Sequence, residues 1–244
     1  MEKLEVQLDE LLDRLESSDT IRLNVEELIS IYPFSKYEYI ISHLFAANKL
    51  TLEEYYQLRN DYIDRNLYLY LFEISAPRGF GEIWTQGHLK ELVPNLQRPN
   101  KRLDPDYSGQ YDYFLPPNIR IEIKASRAGE FQRDAPIYLK ALSSDSQKQF
   151  DMNFQQIKPA CCDVFVWLAV WRDVIMHWVI PSFEVENSRY YSKGQHRGNV
   201  GEGQLHLNRE NIRDFDKYLT DAKDIENAIR KGSEREKQLR NPAL

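Results

Sequence analysis

The chain has 244 residues, of which 42% are hydrophobic and 29% charged, an ordinary globular composition with enough length to bury a core. No stretch approaches the ~18 uninterrupted apolar residues of a membrane span, and the acidic, periodic start MEKLEVQLDELLDRLESS lacks the basic opening and apolar centre of an export signal. The net charge of −6 resides in residues 1–30, which hold nine acids and three bases; the other 214 residues carry 29 charges of each sign, which excludes a broadly basic surface and permits a local basic face.

Leucines at 4, 8, 11, 12 and 15 line one face of an amphipathic first helix. A second helical run covers about 24–48 and is interrupted at YPFSK; a third opens at Thr51, where Thr51 and Glu54 form a capping box, and runs to about Phe72. Residues 1–75 therefore form a helical subdomain, with its tyrosines packed in the core. APRGFGEIW (76–84) breaks the pattern and starts a helix that carries to about Val93. Short strands follow at about 111–115 and 119–126, turning at PPN, then a helix at about 145–158. The adjacent Cys161 and Cys162 are too few for a disulfide framework or a cysteine zinc site and are expected as buried thiols in a reducing cytoplasm. CDVFVWLAVW (162–171) is a continuous apolar strand of the kind buried on both faces, and VIMHWVIPS (174–182) pairs with it across Arg172–Asp173. Residues 186–204 carry four glycines without periodicity, and 209–240 read as a charged helical tail.

The chemistry concentrates in YDYFLPPNIRIEIKAS, residues 111–126. Ile119, Ile121 and Ile123 alternate with Arg120, Glu122 and Lys124, so Glu122 and Lys124 share one strand face, ~7 Å apart, with room for a water between them. A hairpin turning at Pro116–Pro117 brings Asp112 toward Glu122 across the ladder. Two close carboxylates repel, and a hard divalent cation relieves that repulsion. The same string also suits a plain charged strand face in water. The five histidines show no metal-ligand spacing, and neither G-x-S-x-G nor a glycine-rich phosphate loop occurs, which removes serine-hydrolase and P-loop readings.

The order helix, strand, strand with E-x-K, helix, apolar strand resembles the core of the PD-(D/E)xK nuclease superfamily. The segments FEISAPRGFGEIWTQGHLKELVP, SGQYDYF, IRIEIKASRA, FDMNFQQIKPACCDVFVWLAVWRD and YYSKGQHRGNVGEGQLHL resemble bacterial type II restriction endonucleases over about residues 72–208. The resemblance implies an α/β (α+β) fold: a restriction-endonuclease-like core with a mixed central sheet flanked by helices, over 76–244, beside the helical subdomain. It implies Mg²⁺ held by Asp112, Glu122 and the Ile123 carbonyl, with Lys124 near the attacking water, and hydrolysis of both strands of a short specific duplex DNA site to 5′-phosphate and 3′-hydroxyl ends. The literal PD is Pro105–Asp106, so Asp106 is the second candidate for the first ligand. Glu82 resembles an acidic residue that some of these nucleases bring to the metal from the preceding helix, and Gln155 and Gln156 would face the site from the following one. Arg189, Lys193, Gln195, His196, Arg197 and Asn199 form a candidate recognition loop, since these side chains suit guanine and adenine edges; Arg78, Lys90, Ser126 and Arg127 are candidate phosphate contacts. A homodimer, through the helical subdomain, and a cognate DNA methyltransferase follow from the resemblance. A structure-specific repair or recombination nuclease on the same core, and a non-catalytic DNA-binding module, are the alternatives.

Overall fold

The computed structural model describes residues 2–15, 18–27, 33–74, 76, 79–194 and 202–241. Their contacts divide the chain into two units, one comprising Met1–Leu67 and Ser143–Ser146 and the other Tyr68–Leu142 and Gln147–Leu244. The first unit is helical: α1 (Glu2–Leu12), α2 (Ser18–Glu27), α3 (Pro33–Ala46) and α4 (Leu52–Asp64). Leu8, Leu11, Leu12 and Leu15 are buried with Ile41, Leu44, Leu58 and Tyr62, as the leucine spacing of the first helix requires. The capping box at the start of α4 is present: Glu54 N–H donates to Thr51 Oγ1 at 3.2 Å and Thr51 N–H to Glu54 Oε2 at 2.7 Å. This helix stops at Asp64, short of the expected Phe72, and residues 69–72 belong to the second unit as a 3-10 turn. Three residues per turn align Leu69 with Phe72, and both are buried.

In the second unit a π-helical turn, Gly79–Trp84, leads into α5 (Thr85–Leu92). The strands are β1 (Tyr113–Leu115), β2 (Ile119–Arg127), β3 (Asp151–Ile157), β4 (Val164–Val170), β5 (Ile175–Pro181), β6 (Tyr191–Lys193), β7 (Gly203–Asn208) and β8 (Leu219–Thr220), with α6 (Ser182–Glu186) after β5 and α7 (Ile225–Arg240) at the end. The central sheet has the order β1-β2-β4-β5-β8 and is mixed: β2 and β4 are parallel and the other pairs antiparallel. Every residue of β4 is buried, which its unbroken apolar run demands. On one face Ile121, Ile123, Val164, Val166 and Leu168 pack with Leu89 of α5 and with Ile225 and Ile229 of α7. On the other face lies a second sheet of order β3-β7-β6, whose Phe154, Leu205 and Leu207 pack with Phe165, Trp167 and Trp178. Phe154 stacks on Trp167 at 4.7 Å.

Two further elements differ from expectation. The expected helix at 145–158 is β3, because Met152, Phe154 and Ile157 are buried against the central sheet while Asp151 and Gln155 face outward. The expected helical tail is helical only in α7; before it Phe215 anchors a 3-10 turn in the core and Leu219–Thr220 pair with β5. The crossover between parallel strands β2 and β4 therefore passes through the second sheet instead of a helix.

A column of rings supports α5 on the sheet: Phe80, Trp84, His88 and His177 stack at 5.6, 5.0 and 5.6 Å between successive centroids. The His88 and His177 Nε2 atoms are 3.3 Å apart. Burial, and secondarily His88, push the His177 pKa down from 6.5 to about 4; burial lowers His88 too, against the attraction of Glu91. A histidine with a depressed folded pKa binds its proton more readily when unfolded, so stability falls as pH drops from about 6.5 toward 4, by on the order of 3 kcal/mol for His177. Urea unfolding of His177→Phe, which keeps a ring without a titrating group, is expected to lose less stability across that window than the parent chain.

Candidate active site

The alternation in β2 decides which side chains reach the site. Ile119, Ile121 and Ile123 enter the core shared with the helices, so Glu122 and Lys124 emerge on the opposite face, beside Phe165 and Trp167 of β4. The second sheet covers that face. Glu122 and Lys124 are consequently not on a wet exterior: their side chains are 15% and 16% exposed, at the floor of a cleft of about 890 Å³. Lys124 Nζ lies 2.7 Å from Glu122 Oε1, a direct ion pair in place of the expected water-wide gap.

The β1–β2 hairpin turns at Pro116–Pro117, and its register pairs Tyr113 with Ile121. Just beyond it the Asp112 N–H donates to the same Ile121's carbonyl at 3.0 Å, outside the regular ladder, and its carboxylate lies close enough to Glu122 to push that carboxyl's pKa up. β1 ends there, so the Ile123 N–H has no strand residue to meet and instead donates to Asp112 Oδ2 at 2.9 Å. In a strand the N–H and C=O of one residue leave on the same side, so the Ile123 carbonyl also faces the Asp112 side. The Ile123 side chain is in the core, and it is the backbone that lines the cleft. Asp112 Oδ1 accepts from Gln86 Nε2 at 2.7 Å, and Gln86 Oε1 accepts from Arg98 Nη1 at 2.6 Å. Arginine only donates, so this chain fixes the Gln86 amide with its NH₂ toward Asp112. Arg98 is itself held over the Tyr113 ring at 4.7 Å.

Electrostatics mark Glu122. Burial raises its pKa from 4.5 to about 7; Lys124 pulls it down and Asp112 pushes it up, and burial outweighs the ion pair. Among the described residues no group of three or more histidine, cysteine or acidic side chains converges on one point, which excludes a dense zinc-type donor set there. Two facing carboxylates and a main-chain carbonyl instead suit magnesium, which takes one or two carboxylates and fills its octahedron with water and substrate phosphate.

The other sequence candidates separate by location. Asp106 is exposed in the turn before the cleft, whereas Asp112 lines the cleft and acts on Glu122. Glu82 lies on the π-helical turn at the cleft wall. Ser126 shares the Glu122 and Lys124 face by alternation. Arg127 points inward: it donates to the Leu71 and Ile74 carbonyls at 2.9 and 2.8 Å and lies over the Phe80 ring, so it fastens the π-helical turn and is withdrawn from phosphate contact. Lys90 likewise donates to the Pro94 and Leu96 carbonyls. Arg189 is exposed and paired with Asp214, and Lys193 is exposed at the end of β6. Arg78, Gln195, His196, Arg197 and Asn199 lie outside the described residues. Cys162 is buried against Ser182 Oγ at 3.2 Å and its pKa is raised by burial, which suits an inert thiol.

Sequence reading missed Gln86, Arg98, Asn153 and Lys158, all on the cleft wall. Only Gln86 left a signal, four residues after Glu82 on a helical path. Gln155 and Gln156 do line the cleft, from a bulge in β3 and not from a helix. Gln156 has φ +55°, a left-handed conformation that costs a non-glycine residue about 1–2 kcal/mol. Gln156→Gly is expected to raise stability by about 0.5–1 kcal/mol, after the extra entropy of glycine in the unfolded chain; equilibrium denaturation checks it.

The chain matches no protein-family model, and no curated protein matches it.

Proposed function

We propose that this chain is a magnesium-dependent endonuclease that cuts both strands of duplex DNA at a short specific sequence, a type II restriction endonuclease on a PD-(D/E)xK core. The observation that carries the reading is the Asp112 carboxylate held close to Glu122, with Lys124 two residues on, in one cleft. The hairpin, the parallel β4 beside β2 and the preceding α5 support the core assignment; the strand crossover through β3 is a departure from the helix that the resemblance implies.

Asp112, Glu122 and the Ile123 carbonyl would hold the cation, which when bound supplies charge stabilisation at the scissile phosphate and a more acidic water. Gln86 and the Ile123 N–H keep the Asp112 carboxylate aimed at Glu122. Glu122, raised to about 7, is an anion that burial disfavours, so a cation there is drawn by a site already short of counter-charge. Lys124 Nζ, an ammonium paired with Glu122, would orient the attacking water and offset the charge gathering on the phosphoryl oxygens. The water oxygen bonds to phosphorus as the bond to the 3′ oxygen breaks in line; the attacking water gives its proton to solvent and the departing oxygen takes one from a solvent water, leaving a 3′-hydroxyl and a 5′-phosphate. One cleft per chain and two strands to cut call for two copies, a homodimer, and a host genome would need a cognate methyltransferase.

The reading is tested by incubating the purified chain with a long duplex and magnesium. Discrete fragments whose ends sequence to one site and carry 5′-phosphates are expected; random degradation would favour a repair-type nuclease, and intact DNA with an intact fold would count against catalysis.

A further inference from the structure

Strand alternation sends Met152, Phe154, Leu205 and Leu207 into the core and leaves the opposite face of the second sheet outside. Among the described residues that face is made of amides, a histidine, a hydroxyl and one carboxylate. Asn153 stands directly opposite His206, and Ser192 directly opposite Gln204. A strand face that serves only solubility is ordinarily dressed with charged side chains; here the one carboxylate, Asp151, is engaged by His206 Nδ1 at 2.9 Å. Asn153 Oδ1 is buried without a hydrogen-bond partner, a state that calls for an explanation. Beside it the register shifts between Phe154 and Ile157, and the bulge displays two consecutive amides, Gln155 and Gln156, with Gln156 held at φ +55°. Bulges re-aim side chains beside functional sites, and strained backbone of this kind clusters there.

We propose that this face, from Gln204 and His206 across Asn153 to the Gln155–Gln156 bulge, reads adenine edges in the major groove of the duplex whose scissile phosphate sits at Glu122. The proposal rests on the nuclease reading above and adds the surface and the base. Continuity supports the occupant, since Asn153, Gln155 and Gln156 also line the catalytic cleft. Charge supports it too. Lys158, paired with Glu202 at 2.9 Å, follows β3 at one end of the ladder. Arg209 follows β7 at the other end, about 20 Å away by strand rise; it donates to the Lys148 carbonyl and the Gln147 amide oxygen, and among the described residues no carboxylate pairs with it. Arg209, at one end of the amide row, matches a phosphate flanking a base-pair edge, whereas Glu202 balances the Lys158 charge at the other end. An Asn or Gln amide accepts from adenine N6 and donates to N7 together, a pairing that no other base edge offers.

The test is the cleavage-rate ratio between the preferred site, selected from randomised duplexes, and its single-base-pair variants. The parent chain is expected to select a site containing A·T pairs. In Gln155→Ala and Gln204→Ala the ratio at one A·T position each is expected to fall by roughly 10- to 100-fold. Duplex carrying N6-methyladenine at those positions, offered to the unaltered protein, is expected to resist cleavage, a readout that needs no variant to fold. A selected site without A·T pairs, unchanged ratios in both variants, or full cleavage of the methylated duplex would overturn the proposal while magnesium-dependent cutting left the nuclease reading standing. If the parent chain neither binds nor cuts any duplex, both readings fall.

Discussion

Lys124→Ala, Asp112→Asn and Glu122→Gln are each expected to cut magnesium-dependent cleavage of duplex DNA by about 100- to 1,000-fold or more, the loss seen when one pre-aimed charge or donor is removed from a water-poor site. The three act on one arrangement: the Asp112 and Glu122 carboxylates lie close together, and Lys124 Nζ reaches Glu122 Oε1 at 2.7 Å. Their losses are therefore expected to be strongly non-additive, with the double variants little worse than the singles. Gln86→Ala is expected to act differently. Gln86 holds the Asp112 carboxylate and would touch neither metal nor phosphate, so its removal should raise the magnesium concentration needed for half-maximal rate more than it lowers the rate at saturating magnesium. Circular dichroism and the unfolding midpoint of each variant separate a lost function from a lost fold.

Glu122→Gln is also expected to stabilise the metal-free protein. The folded chain holds Glu122 at about 7 against an ordinary value of 4.5. A carboxyl with a raised folded pKa binds protons more tightly in the folded state, so its contribution is favourable below pH 4.5 and is lost as pH rises through about 7. At pH 8 the charged form costs on the order of 3 kcal/mol, which the isosteric amide removes while keeping the shape. Urea unfolding should show Glu122→Gln more stable by about 2–3 kcal/mol at pH 8 and near parity at pH 4.5. Magnesium should narrow the pH 8 gap, because binding to the ionised parent site stabilises only the folded state. A gap of the same size at both pH values would show that Glu122 is not held above its ordinary range. Stability given up at a carboxylate that the fold could replace is the usual mark of a functional site.

What the sequence made legible was local. The unbroken apolar run of β4, the turn at Pro116–Pro117 and the Thr51–Glu54 cap are each fixed by neighbours in the chain, and each is where the pattern puts it. The strand β3 was misread for a definite reason. Its bulge stretches the inward step from Phe154 to Ile157, so that, Met152 apart, the buried residues Phe150, Phe154 and Ile157 fall at i, i+4 and i+7, the spacing of a helix face. The bulge, which adds residues without advancing the ladder, is invisible until the partner strand is known. The candidate site divides in the same way. Asp112, Glu122 and Lys124 could be found because a hairpin relates them, whereas the Gln86–Asp112 and Arg98–Gln86 contacts join a helix, a loop and a strand that only the tertiary fold brings together. The burial of Glu122 was equally out of reach, since a second sheet covers it, and exposure is a property of the packing and not of β2. Arg127 shows the converse: a cation beside the E-x-K strand reads as a phosphate contact, yet the Leu71 and Ile74 carbonyls hold it.

The most direct measurement is single-turnover digestion of a long duplex by the parent chain, by Asp112→Ala and by Lys124→Ala, each with magnesium and with chelator. Discrete cleavage is expected from the parent chain with magnesium alone, and none from either folded variant. Cleavage that survives chelation, or that persists undiminished in Asp112→Ala and Lys124→Ala, would contradict it and move the chemistry away from the cleft at Glu122.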